Sequence, residues 1–237
     1  EPPPRAGNGR TPEHAERLDN IDSAGRHLLS IINDVLDLSK IEAGRLQLES
    51  TDFHLAAILD NVASIISPAA QAKGLVIAID RDAVPLWLRG DPTRLRQALL
   101  NYAGNAVKFT ERGSIVLRAK LLADEDGELL VRFEVEDTGI GISQEQIALM
   151  FQAFAQGDAS TTRKYGGTGL GLAITHRIAQ LMRGEVGIDS VVGQGSRFWF
   201  TARLQRGHGV MPEQMDERRP VDAERRLLGT LSDGDIR

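Results

Sequence analysis

The chain has 237 residues, 41% of them hydrophobic and 26% charged, a balance that excludes collagen-like, purely coiled-coil and fully disordered polypeptides. With 28 basic against 33 acidic side chains the net charge is -5, so no bulk attraction to nucleic acid or anionic lipid is expected. Cysteine is absent, which removes disulfides, thiolate metal sites and cysteine nucleophiles from consideration. Apolar runs such as 28–32 are far too short to cross a membrane, and no signal-peptide pattern opens the chain. Glu1 stands where an initiator methionine would, so the expectation is a piece of a longer protein.

Residues 1–10 are rich in Pro, Gly and Arg and read as a disordered lead-in. Thr11-Pro12-Glu13 has the form of a helix start, and Leu18, Ile21, Gly25, Leu28, Ile32, Val35 and Ser39 follow at alternating steps of three and four. That spacing is the seam of a helix packed on partner helices, with Gly44 as its stop. Residues 53–73 read as a helix, broken near Pro68 or restarting beyond it, and 75–79 and 86–88 as strands. Asp91-Pro92 caps a long helix to about Lys108. Residues 114–122 and 129–136 alternate as strands around the hairpin signal Asp124-Glu125-Asp126-Gly127. Ser143 caps a short helix ending near Phe154, residues 157–167 read as a mobile loop, and 170–182 as a helix. Residues 186–189 and 196–204 form a second hairpin, and the charged, aromatic-free stretch 205–237 reads as a linker with one short helix near 221–231. Helices and hairpins segregated in this way predict an α+β fold: a two-layer α/β sandwich, one sheet under a helical layer, preceded by the long helix.

Four clusters carry chemistry. Asn101, Asn105 and Lys108 share one helical face; amide oxygens suit Mg²⁺ and an ammonium suits phosphate. Asp137-Thr138-Gly139-Ile140-Gly141 follows a strand, where a carboxylate can accept from an exocyclic amine and glycines admit a flat ring. Gly166-Gly167-Thr168-Gly169-Leu170-Gly171 runs into a helix whose first N–H groups form an anion site. Phe151 and Phe154 anchor the base of a loop that carries Arg163 and Lys164, though ordinary core packing explains the two rings equally well. Each cluster alone also has a bland reading as a solvated face, a tight turn or a glycine loop.

In chain order the clusters resemble the N, G1, F and G2 boxes of the sensor histidine kinase catalytic domain, an ATP-binding sandwich of the Bergerat (GHKL) type. Residues 28–44 are similar to the second helix of that family's dimerisation and phosphotransfer domain, in its hybrid form. The resemblance implies four segments: a lead-in 1–10, a partial dimerisation domain 11–50, a catalytic domain 51–204, and a linker 205–237 toward a receiver domain. It implies ATP and Mg²⁺ as ligands. Asp137 is similar to the adenine-binding aspartate, with Gly139 and Gly141 beside it, and Asn105 to the Mg²⁺ ligand, with Asn101 and Lys108 as helpers at the phosphates. Gly167, Thr168, Gly169, Leu170 and Gly171 match the end of the ATP lid, and Arg163 and Lys164 fall within it. Gln152-Ala153 replaces the family's usual Glu-Pro between the aromatics. Implied partners are the chain's own phosphotransfer helix, a receiver domain or response regulator, and a second copy in a homodimer; the implied location is the cytoplasmic portion of a protein that can be membrane-anchored.

One part does not match. None of the histidines His14, His27, His54, His176 and His208 is followed by the family's Glu-hydrophobic-Arg-Thr-Pro pattern, so no phosphoacceptor is identified in this chain. A water-activating ATPase is disfavoured, because Asn101 stands where such enzymes carry glutamate on this helix and none lies between Thr93 and Thr110. A nucleotide-binding scaffold without phosphotransfer stays open as the alternative.

Overall fold

The computed structural model describes residues 45–156 and 170–209, together with Gly25, Leu28, Leu29, Ile32, Leu36, Ser39, Lys40 and Ala43. In chain order the elements are β1 (Thr51–His54), α1 (Leu55–Ala72), β2 (Val76–Arg81), β3 (Trp87–Gly90), α2 (Pro92–Phe109), β4 (Ser114–Glu125), β5 (Glu128–Asp137), α3 (Gln144–Gln156), α4 (Leu170–Leu181), β6 (Val186–Val191) and β7 (Gly195–Arg206). Gly25, Leu28, Ile32 and Ser39 of the expected seam, with Leu29, Leu36 and Lys40 beside it, are helical and exposed.

The strands form one sheet in the order β1-β3-β7-β5-β4-β2, with β6 on β7 as well. β7 shares one edge between two partners: Val186–Val191 of β6 pair with its first half and β3 reaches only Gln205 and Arg206. Its other edge pairs with the whole of β5, from Asp137↔Ser196 to Glu128↔Gln205. The β4–β5 hairpin turns through Asp126 (φ 51°) and Gly127 (φ 84°), the two left-handed residues that a tight hairpin turn requires.

Alternation decides which face meets the helices. Leu129, Val131, Phe133 and Val135 of β5, Ile115, Leu117 and Ala119 of β4, and Phe198, Phe200 and Ala202 of β7 are buried on one side. Against them α2 buries Leu95, Ala98, Leu99, Tyr102, Ala103, Ala106 and Val107, the three-and-four spacing of a single helical stripe. Phe133 stacks on Phe200 with centroids 5.1 Å apart, and Tyr102 tilts against Phe198 at 5.3 Å. Burial also pushes the Tyr102 hydroxyl well above its usual pKa.

The opposite face is closed by charge. Glu134 is almost fully buried there, with Arg132 at 2.8 Å, Arg118 at 3.3 Å and Lys120 at 3.4 Å. Glu136 accepts from Arg118 and Arg197, each at 2.9 Å, and Arg132 lies over the Trp199 ring at 4.1 Å. Among the described residues no helix covers this face, and the charges on it are paired.

The α+β sandwich expected from the sequence is present, with four corrections. Residues 51–54, placed partly inside a helix by the sequence reading, form edge strand β1, which pairs with β3. Pro68 does not break α1: it and Ser64 are both exposed, so the carbonyl left without a donor faces solvent. β2 is parallel to β4, whereas only antiparallel hairpins were expected. β7 runs two residues past the expected boundary at 204. Helix α1, with 18 residues, is apolar enough to cross a membrane on composition alone, yet Leu55, Leu59, Val62 and Ile66 are core residues.

Candidate functional site

Parity places Asp137 on the helix-covered face with Phe133 and Val135, where an apolar side chain is expected. Its carboxylate is mostly buried, and its Oδ1 accepts from the Gly139 N–H at 2.8 Å and from the Thr110 hydroxyl at 3.4 Å. Oδ2 is engaged by neither. Burial raises the Asp137 pKa; the bonds from Gly139, Thr110 and the Ser196 backbone pull the other way without cancelling it. A buried carboxylate held at a cost in this way is a candidate binding group.

The loop after Asp137 is clamped on both sides. A Cβ on Gly139 would lie 2.4 Å from the Phe109 carbonyl oxygen, so this glycine is required by close approach of the end of α2. Gly141 has φ +68° and faces the Val191 carbonyl, where a Cβ would sit at 2.1 Å. On the far side the Gly193 N–H donates to the Ile140 carbonyl and the Ile142 N–H to the Ser190 hydroxyl, both at 2.8 Å. The loop is thus held between the C-terminus of α2 and the β6–β7 hairpin.

The middle of α2 meets α4. The Asn101 amide nitrogen donates to the Gly171 carbonyl at 2.9 Å and to the Thr175 hydroxyl at 3.2 Å. Leu170 and Gly171 open α4, whose first N–H groups lack partners within the helix and carry the positive end of its dipole. Asn105 is half-buried one turn further on, and Lys108 is exposed, its Nζ 5.1 Å from the Phe109 ring centroid. From Asn101 to Phe109 the helix rises about 12 Å. One face of α2 therefore runs from an anion-seeking helix end to a buried carboxylate beside a glycine cradle.

The structure joins Asn101 to Gly171, and Asp137 to Gly139, and places Asn105 and Lys108 on the α2 face between them. Arg163, Lys164, Gly167, Thr168 and Gly169, the loop 157–167, the side chains of Phe151 and Phe154, and His14 and His27 lie outside the described residues. Sequence reasoning missed Thr110, Thr175, Ser190 and Lys73. Lys73 donates to the carbonyls of Val107 at 2.8 Å, Lys108 at 3.1 Å and Thr110 at 3.2 Å, a cation on the C-terminus of α2. No three His, Cys, Asp or Glu side chains converge among the described residues.

The family model described as histidine kinase-, DNA gyrase B-, and HSP90-like ATPase matches residues 90–206. The chain is 45% identical over 208 residues to a sensor protein GacS of Pseudomonas syringae pv. syringae, covering 87% of this chain and 23% of that protein. It is 41% identical over 204 residues to the signal transduction histidine-protein kinase BarA of Escherichia coli (strain K12), covering 86% of this chain and 22% of that one. The chain therefore spans less than a quarter of the length of these relatives. Among solved structures it is similar to full-length ShkA in complex with AMPPNP, with TM-score 0.68 and 39% identity over 85% of this chain and 41% of that one. It is also similar to the catalytic domain of histidine kinase ThkA, with TM-score 0.52 and 25% identity over 65% of this chain and 95% of that one.

Proposed function

Residues 90–206 belong to the histidine kinase-, DNA gyrase B-, and HSP90-like ATPase family, and from that premise we propose that this chain is the ATP-binding catalytic part of a hybrid sensor histidine kinase. The observation that carries the reading is the single face of α2. Its C-terminal end holds the Asp137–Gly139 cradle, Asn101 midway along the helix meets the N-terminus of α4, and a rise of about 12 Å separates the two, room for a ligand with a flat ring at one end and phosphates at the other.

In this reading Asp137 accepts a hydrogen bond from the adenine amine and Gly139 and Gly141 admit the ring. The N-terminus of α4, with Leu170 and Gly171, receives phosphate, and Lys108 adds a positive charge on the same face. Arg163, Lys164, Gly167, Thr168 and Gly169 are proposed contacts of the closing segment. Asn105 is the residue that would hold Mg²⁺; its amide oxygen fits a hard cation, and the metal supplies charge neutralisation along the phosphates.

The chemistry is an in-line displacement: a histidine nitrogen attacks the γ-phosphorus, the bond to the bridging oxygen breaks, and ADP leaves. The protein contributes position and charge compensation more than covalent chemistry. The receiving histidine is not identified in this chain. The exposed stripe Leu28, Ile32 and Leu36 is the proposed contact with the phosphotransfer helix and with a second copy in a homodimer, and a receiver domain or response regulator takes the phosphoryl group onward.

Incubating the chain with γ-labelled ATP and a phosphotransfer helix that carries its histidine tests this. Acid-labile, base-stable label on the added helix is the expected product. Nucleotide binding without any transfer would favour the scaffold reading instead.

A further inference from the structure

Thr175 is fully buried on α4, and its hydroxyl forms one corner of a triangle. It donates to the Gly171 carbonyl at 2.9 Å and accepts from the Asn101 amide nitrogen at 3.2 Å, while that nitrogen donates to the same carbonyl at 2.9 Å. A threonine bonded to the carbonyl four residues back is ordinary within a helix. The third side is not, because it comes from another helix and fixes which end of a carboxamide faces which way.

Reversing Asn101 would set its oxygen against the Gly171 carbonyl oxygen, acceptor against acceptor, in place of a 2.9 Å hydrogen bond. The carboxamide packs on the first turn of α4: a Cβ on residue 171 would lie 3.2 Å from its Cγ, 3.3 Å from Oδ1 and 3.5 Å from Nδ2. Glycine at 171 keeps that space clear. Among the described residues no donor is seated on Oδ1.

We propose that Thr175 is a positioning residue for the nucleotide: it holds the Asn101 carboxamide so that an oxygen, and not an NH₂, faces the metal-bearing end of the triphosphate. The inference rests on the nucleotide site proposed above and adds a residue to it. An oxygen there can coordinate Mg²⁺ or accept from its bound water; a reversed amide would place donors against a cation.

The test measures binding of AMPPNP to the 237-residue chain by calorimetry, once with Mg²⁺ and once with EDTA. Thr175→Val keeps the side-chain shape and should weaken binding with Mg²⁺ by about threefold to tenfold, with less than about twofold change in EDTA. Thr175→Ser should restore the wild-type value. The Asn101 side-chain amide protons, downfield-shifted in the wild-type NMR spectrum, should move toward free-asparagine positions in the Val variant. Wild-type affinity in Thr175→Val alongside a clear loss in Asn101→Ala would overturn the role of Thr175 and leave the site reading intact. An equal loss with and without metal would also overturn it, as the mark of simple packing. Wild-type binding in both Asn101→Ala and Asp137→Asn would instead remove the site reading. Should the Val variant not fold, wild-type Asn101 amide resonances at free-asparagine positions would overturn the proposal by themselves.

Discussion

The ammonium of Lys73 lies 2.8 Å from the carbonyl oxygen of Val107, joining the residue after α1 to the end of the helix that carries Asn101, Asn105 and Lys108. The same nitrogen reaches the Thr110 carbonyl, and the Thr110 hydroxyl reaches Asp137. A cation remote in sequence thus fixes the helix end against which the cradle is built. Its pairing with exposed Glu111 at 3.4 Å adds little by comparison. Lys73→Met should cost about 1–2 kcal/mol of stability in urea titration, through loss of the helix-end interaction and of the carbonyls' partner. Nucleotide affinity should also fall, although Lys73 is not proposed to touch the ligand. Unchanged stability would show that solvent caps α2 equally well.

Gly139→Ala forces a methyl group to within 2.4 Å of the Phe109 carbonyl and 2.7 Å of Asp137 Oδ1. Neither neighbour is the free end of a flexible chain, so the loop must shift. We expect a loss of about 1–3 kcal/mol in thermal or urea unfolding, with nucleotide binding weakened more than the stability change explains. A variant as stable as wild type, with normal affinity, contradicts the clamped geometry.

Asp137→Asn gives an unusual sign for a buried site. The folded carboxyl has a raised pKa, so the fold favours its neutral form, and the cost to stability builds as pH rises above the unfolded-state value and is fully present above the folded one. Asparagine keeps an oxygen for Gly139 and Thr110 and removes that cost. Without nucleotide the variant should therefore be as stable as wild type, or more so, at neutral pH. An adenine amine that donates a hydrogen bond to this carboxylate favours its ionised form and lowers its pKa, so wild-type affinity should fall as the pH drops into the acidic range. A large drop in the melting temperature of the ligand-free variant would contradict the assigned sign.

Glu136 behaves oppositely. The Arg118 hydrogen bond, followed by that of Arg197, holds its carboxyl below the ordinary glutamate range. Its stabilising contribution is present above the unfolded-state pKa and is lost as pH falls through the folded one. Glu136→Gln should flatten the acid limb of a plot of melting temperature against pH. An unaltered limb would assign acid sensitivity elsewhere.

The polar face of α2 and the glycines of the cradle were legible because both are local patterns. Asn101, Asn105 and Lys108 repeat at helical steps, and Asp137 interrupts an alternation that requires an apolar residue. Thr110, Thr175 and Lys73 were not legible, since each acts through a contact across 27 to 74 positions with no periodic signature. Edge strand β1 and the parallel pairing of β2 escaped for the same reason: partners distant in sequence, not local propensity, make them strands. Pro68 misled because a proline breaks a helix only where its lost hydrogen bond cannot be replaced, and this one faces water.

The most direct measurement compares ATP with ITP, whose ring carries an oxygen in place of the adenine amine, by competition binding to the wild-type chain and to Asp137→Asn. With Asp137 as the acceptor for that amine, ATP should bind the wild type at least about tenfold more tightly than ITP, and the variant should lose most of that preference. Equal affinity of the wild type for the two nucleotides would contradict the account.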